Sequence, residues 1–432
     1  MKKHSRMDIF VLGFALFSMF FGAGNVIFPP YLGMAAGPKW IMAFVCYYVA
    51  DIGLAMLALF SISRQGSANS VLAPIGRIPA TIMMCAIVMC IGPMLGIPRT
   101  AAMTFEMSIQ PNFPQLGSML FSLLFFGVVF LCAVRENSVI DIVGKILTPL
   151  LLVGLLVLIG KGIFTPLGTI AAQPQLPNVG AEGIKAGYQT MDVLATMLFG
   201  GLMLRSAESK GYTAHNEKHK VTVKASLVAG VLLLAVYSGL NYLGSTVSNL
   251  YDTSISRSAL LLNIMSGLLG QRGTALFAVV VGLACLTTAV GLVSSCSDYF
   301  SGLTKGKVPY PIFVGAICLF SAVASNVGLE QLVSIAAPIL DVVYPPALVI
   351  IVMSFLPGTH DWAIRFAVSG ALLFSVLMAV STYGIIKIPF LDQLPMASIG
   401  FGWVIPAVLF GLVGAIASRF SQANAKGRGV NY

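Results

Sequence analysis

The chain is poor in charge. Only 9% of its 432 residues are Asp, Glu, Lys or Arg, against about 25% in soluble domains. That excludes a water-facing globular surface for most of its length. Histidine is scarce at four residues; two of them, His215 and His219, bracket Asn216-Glu217-Lys218. A zinc-protease helix needs the glutamate directly after the first histidine, so Ser206 to Lys220 reads as a solvated basic loop. No Asp-rich pair or Cys-His pairing supplies the clustered acids and bases that a membrane enzyme needs. The seven cysteines (Cys46, Cys85, Cys90, Cys132, Cys285, Cys296, Cys318) all fall inside apolar runs, without paired spacing in a loop. They read as small core residues, not as disulfides or a metal site. A cleavable signal is not expected, because the first apolar run is too long and leads into Pro29-Pro30 instead of a small-residue cleavage site.

What the chain has is hydrophobic residues, at 57%. A crossing helix needs about 20 apolar residues, and about twelve windows qualify or nearly so: 8–36, 39–62, 79–108, 117–135, 139–160, 183–206, 222–247, 273–302, 309–326, 330–356, 362–385 and 398–418. The expectation is an all-α polytopic membrane protein with about 12 transmembrane helices in the lipid bilayer. Even parity puts both termini on one side. With the N-terminus inside, about 18 Lys and Arg residues fall on inner loops and ends against about 7 outside, which predicts cytoplasmic termini. The net charge of +10 is scattered through short loops, so nucleic acid is not an expected partner. Outside, Thr165 to Glu182 reads as a loop and Ser256 to Gly270 as a short amphipathic helix.

Within the first window, Gly22-Ala23-Gly24-Asn25 interrupts a string of Phe, Leu, Ile and Val, and Pro29-Pro30 and Gly33 follow. Non-helical backbone at membrane depth survives only where it lines a cavity or grips a ligand. Phe199-Gly200-Gly201 in the sixth window offers a second break. Breaks five helices apart are what a 5+5 inverted repeat with discontinuous helices 1 and 6 would give. Repeat one is then about 8–160 and repeat two about 183–356, with two C-terminal helices over about 362–418, all in a single transmembrane domain. A lone Gly-Gly pair is otherwise a packing device.

Phe17 to Pro30, with Gly22-Ala23-Gly24-Asn25 and Phe28-Pro29-Pro30, resembles the opening signature of the bacterial branched-chain amino acid:cation symporters, the LIVCS family. Further similar strings are Ile97-Pro98-Arg99-Thr100, Gly187-Tyr188 with Thr190-Met191-Asp192, and Ala284-Cys285-Leu286-Thr287-Thr288-Ala289. The resemblance covers nearly the whole chain. It implies sodium-coupled symport of leucine, isoleucine and valine through the plasma membrane, no cofactor beyond Na+ as coupling ion, and the broken-helix fold of neurotransmitter:sodium symporters. That fold implies substrate contacts at Gly22, Ala23, Gly24 and Asn25, with the substrate carboxylate on the amides of Ala23 and Gly24. A freed helix N-terminus offers unpaired N–H groups and about half a positive charge for that task. It also implies a sodium site from carbonyls of Ser18 and Phe21 with Ala284, Thr287 and Thr288. Without the resemblance, the threonines are better explained by back-bonding to the preceding turn. The charged residue that the distant fold places between the first break and its Phe-Pro is missing here, leaving Arg99 as the candidate charge.

The apolar part of the pocket is assigned to Thr196, Phe199, Gly200 and Gly201, with Pro93 and Met94 from the third window. Ionised groups inside spans cost roughly 3 kcal/mol or more at the bilayer centre, so Asp51, Asp192, Asp298, Asp341, Arg99 and Glu106 should face a cavity or a partner. Asp141 and Lys145 share a helix face and read as a structural pair. Asp341, flanked by Pro338 and Pro345-Pro346, is the foremost candidate for a gate or a proton-linked role. A proton-coupled carrier, a carrier of other neutral amino acids and, remotely, a channel or membrane enzyme stay open, as does the oligomeric state.

Overall fold

The computed structural model describes residues 6–134, 139–356 and 358–427. Among them every regular element is helical, and each of the twelve apolar windows falls on helix. Seven helical stretches of the described residues are long and apolar enough to cross a membrane, and shorter apolar helices accompany them at Met7–Phe20, Ser118–Val134, Pro149–Phe164 and Val404–Arg419. Large apolar side chains stand exposed along the helices: on Ser118–Val134, Leu120, Leu123, Leu124 and Leu131 are all at least half exposed. Each buried leucine is worth roughly 1.5–3 kcal/mol relative to water, so such a row fits hydrocarbon as its solvent. The chain is a multi-pass membrane protein.

Two compact units share the chain. The first comprises 1–52, 88–192 and 223–336, the second 53–87, 193–222 and 337–432.

In the first unit the helix Arg257–Leu303 packs along Gly96–Thr104, Val139–Phe164 and Tyr310–Ala324. The side chain of Ser256 caps its start by accepting from the Ala259 amide at 3.3 Å. Its helical dihedrals fail only at Gly270, with φ 67° and ψ 178°, which ends the short helix where the sequence suggests. Glycines allow backbone-to-backbone contact. A Cβ at Gly183 would lie 2.6 Å from Ala43 O, and one at Gly187 2.9 Å from Tyr47 O, so Val179–Thr190 lies flush on Trp40–Tyr48. Ala23–Ala36 meets the helix His215–Thr246 more closely still: a Cβ on Gly33 would fall 1.9 Å from Asn241 O, and one on Gly244 1.8 Å from Pro30 O.

In the second unit Asp361–Thr382 pairs with Val404–Gly427, with Gly370 under Phe410 and Gly414 against Trp362 O. Ser61 and Ser354 share a 2.7 Å hydrogen bond. The break expected at Phe199-Gly200-Gly201 is not there, because Asp192–Ser209 is continuous through all three residues. A Cβ on Gly200 would stand 2.7 Å from Ile62 Cδ1, so this glycine serves packing. The interruption falls instead at Met191, in left-handed backbone between Val179–Thr190 and Asp192–Ser209. The basic loop is also shorter than expected. His215 opens a helix, its Nε2 2.8 Å from Arg64 O, with His219 Nδ1 2.8 Å from Ser63 Oγ. The expected Asp141–Lys145 pair lies outside the described side chains.

Candidate functional site

The first break is two residues long. Arg6–Phe20 ends, the Phe21 amide still donates to Phe17 O at 2.8 Å, and Gly22 is extended with φ −101° and ψ −178° before Ala23–Ala36 begins. The first-turn amides of Ala23 and Gly24 have no intrahelical acceptor by construction. Asn25 spans the gap: its Nδ2 lies 2.7 Å from Phe20 O, 2.7 Å from Asp192 Oδ2 and 2.6 Å from Tyr237 Oη. Its two protons serve two of these three oxygens at a time. Asn25 is fully buried, so it ties the first break to the residue that opens the helix after the second.

At the second break Met191 adopts φ 68° and ψ 15° and caps Val179–Thr190 by donating its amide to Tyr188 O. The last carbonyls of a helix have no intrahelical donor. Arg99 fills that need, donating from Nη1 to Gln189 O at 2.7 Å and from Nη2 to Thr190 O at 3.3 Å. Its guanidinium also lies 5.9 Å from the centre of the Phe28 ring. The same group faces the first break, since a Cβ on Gly24 would stand 2.9 Å from Arg99 Nη2. A buried cation and a positive helix end therefore converge on the Gly24 turn. Thr190 Oγ1 lies 2.8 Å from Asp51 Oδ1 and 2.6 Å from Gly187 O. Asp51 is wholly buried, on a π-helical turn, Val49–Gly53, inside an otherwise α-helical stretch.

A small cavity of about 10 Å³ opens beside the first break, lined by Phe21, Gly22 and Val26 with Ala284, Cys285 and Thr288 among others. That is about the volume one water occupies by this measure. The hydroxyls of Thr287 and Thr288 both donate to Ala284 O, at 2.9 and 3.0 Å. Each thereby spends its one proton and keeps two lone pairs for another partner.

Of the residues singled out in sequence, Gly24, Asn25, Arg99 and Asp192 come together in this group, and Phe21, Gly22, Ala284 and Thr288 line the cavity. Ser18 and Thr287 do not line it. Thr196, Phe199, Gly200 and Gly201 belong to the second unit. Pro93 is buried in the π-helical turn Cys90–Met94, and Met94 is exposed. Asp341, the expected proton-linked acid, accepts from Tyr383 Oη at 3.0 Å and is only partly buried; Asp298 is exposed. Among the described residues the buried acids are Asp51 and, nearly as enclosed, Asp192. Sequence reasoning missed Tyr237 and Tyr47 altogether, since an aromatic in an apolar run carries no signal of its own.

Solved structures with a similar fold include Mhp1, a nucleobase-cation-symport-1 family transporter in a closed conformation with bromovinylhydantoin bound. It has a TM-score of 0.66 at 12% identity and covers 97% of this chain and 93% of that one. A Na+-coupled sialic acid symporter in an outward-open state gives 0.59 at 12% identity, over 95% and 90%. At that identity the likeness concerns the fold. The sequence relatives are nearer. The branched-chain amino acid permease BraB of Bacillus subtilis is 35% identical over 97% of each chain. The permease BrnQ of Escherichia coli is 33% identical over 95% of this chain and 96% of its own. The branched-chain amino acid transport system 2 carrier protein of Pseudomonas aeruginosa is 34% identical over the same shares. Residues 5–421 match the family described as "Branched-chain amino acid transport protein". With its broken helices and its near-complete match to these permeases, the chain is a transporter, not an enzyme, and belongs to the branched-chain amino acid transport protein family.

Proposed function

We propose that the protein is a secondary active symporter that imports leucine, isoleucine and valine with Na+ by alternating access. In this reading about twelve helices span the plasma membrane with both termini cytoplasmic, as a 5+5 inverted repeat followed by two further helices. The observation that carries the substrate assignment is the convergence of the Arg99 guanidinium and the first turn of Ala23–Ala36 at Gly24. An amino acid presents one carboxylate, and a cation beside free helix-start amides is a site for that group. Burying a CH2 is worth about 0.8 kcal/mol, so the three extra carbons of leucine favour it over alanine by roughly 2.4 kcal/mol, about fifty-fold. Leucine, isoleucine and valine are barely separated on that scale.

The sodium assignment draws on the cavity where Phe21 meets Ala284 and Thr288. Neutral oxygens suit a monovalent cation that must be released in each cycle. If one Na+ enters with a zwitterion, about 100 mV contributes roughly 2.3 kcal/mol, which supports about fifty-fold accumulation. Uptake into liposomes with sodium, proton and voltage gradients imposed separately is expected to be electrogenic and sodium-dependent. Leucine accumulation that ignores sodium yet follows a proton gradient at zero voltage would overturn the sodium assignment.

Thr287→Ala and Thr288→Ala separate the cation place from the substrate place. Each is expected to weaken sodium binding, so that leucine affinity falls several-fold at low sodium and recovers at saturating sodium. Ser294→Ala in the same helix serves as control. A uniform drop in folded protein, with the sodium midpoint unmoved in both threonine variants, would leave only the back-bonds to Ala284.

A further inference from the structure

We propose that Asp51 and Asp192 form a proton site in which the pair carries one proton, held on Asp51 Oδ2, apart from the cation place beside Thr288. Asp51 is completely buried and Asp192 nearly so, and their carboxyl groups interact with each other. Three of the surrounding groups already have their bonds. Thr190 Oγ1 serves Asp51 Oδ1 at 2.8 Å, Asn25 Nδ2 serves Asp192 Oδ2 at 2.7 Å, and Tyr237 Oη sits on that same amide. Two buried groups do not. Asp51 Oδ2 and Tyr47 Oη are enclosed without a hydrogen-bond partner. A buried carboxylate oxygen without a donor is unfavourable.

A proton on Oδ2 removes an anionic oxygen that has no donor, and it lowers the charge of the pair from two negatives to one. Arg99, which interacts with Asp192, matches the remaining charge. The titratable and charged groups facing the pair are Tyr47 and Tyr48 on the helix of Asp51, Tyr237 and Arg99. A metal ion fits the same place poorly, because the Asn25 amide nitrogen beside Asp192 presents only hydrogens and would meet a cation with them. The π-helical turn that carries Asp51 is a distortion frequent at functional positions. On release, the proton leaves Oδ2 to water and the negative charge returns to the pair. That this happens once per transport cycle rests on the carrier reading above.

The test is infrared difference spectroscopy of the purified full-length protein in lipid, titrated with acid and base, for the wild type, Asp51→Asn, Asp192→Asn and Glu106→Gln. The expected result is a protonated-carboxyl band in the wild type that titrates reversibly. It is lost in Asp51→Asn, shifted in Asp192→Asn and unchanged in Glu106→Gln, whose carboxylate accepts from Ser258 and the Leu329 amide instead. Asp192→Asn decides the matter if Asp51→Asn does not fold. Identical spectra for the wild type and the folded aspartate variants would overturn the proposal. Leucine binding, measured alongside over the same titration, should lose its pH dependence in Asp51→Asn. If the wild type bound no leucine at any pH, the carrier reading would fail, while the infrared band would still decide whether the pair holds a proton.

Discussion

Gly24→Val is expected to abolish leucine binding in a protein that still inserts and folds. The position lies in the first turn of Ala23–Ala36, and an added Cβ meets Arg99 Nη2 at 2.9 Å, its Cζ at 3.2 Å and the Phe28 ring at 3.3 Å. A guanidinium is the movable end of a long side chain, so the helix need not break. Arg99 must retreat, however, and with it goes the cation that faces the substrate carboxylate. The β-branched side chain also occupies the space through which the carboxylate approaches the amides. Hydrogen bonds to a charged group contribute about 1.5–3 kcal/mol each. Losing two weakens binding by about 3 kcal/mol or more, at least about a hundredfold. Equilibrium binding of labelled leucine to purified protein reads this directly. Gly127→Val is the control, because its Cβ meets nothing within 4 Å. Affinity near that of the wild type in Gly24→Val would reduce the first break to a packing feature.

A second large effect falls on folding. In Gly244→Ala the new methyl carbon would sit 1.8 Å from Pro30 O and 2.6 Å from Pro30 C. These are backbone atoms in the middle of Ala23–Ala36 and cannot swing aside. Nearby, the side chain of Asn241 donates to Pro29 O at 2.9 Å, fixing the two helices at that separation. Overpacking commonly costs about 1–3 kcal/mol, and a clash between two main chains belongs at or beyond the top of that range. Gly244→Ala should therefore yield little monodisperse protein, and what is recovered should unfold at a clearly lower temperature. Gly302→Ala, with open space at its Cβ, should behave like the wild type. Equal thermal stability for Gly244→Ala and Gly302→Ala would show that the contact opens freely.

The two breaks show what the sequence could and could not disclose. Glycines and an asparagine inside an apolar run mark the first, because nothing in lipid tolerates loose backbone without a reason. The second is marked by Met191 in left-handed backbone, a conformation expected of glycine or asparagine and seldom of methionine. The glycine pair at 200 and 201 drew attention away from it, although those residues are helical and packed. Asp192 was a better guide than the glycines: an acid in an apolar stretch needs partners, and it has Asn25. Buried charge likewise pointed to Asp51 and Arg99. Tyr237 and Tyr47 escaped notice because their polar ends matter only once the helices are assembled. The prolines around Asp341 say nothing about the depth at which it is buried, and it is only partly buried.

Both halves of the broken first helix lean on the same neighbour. Gly13, in Arg6–Phe20, lies where a Cβ would be 2.8 Å from Val228 Cβ, while Gly33, beyond the break, touches the main chain at Asn241. Val228 and Asn241 belong to one uninterrupted helix, His215–Thr246. That helix is a splint across the fracture. It touches the chain on both sides of the Phe21–Gly22 joint, so swinging either piece away from it would strip a glycine contact.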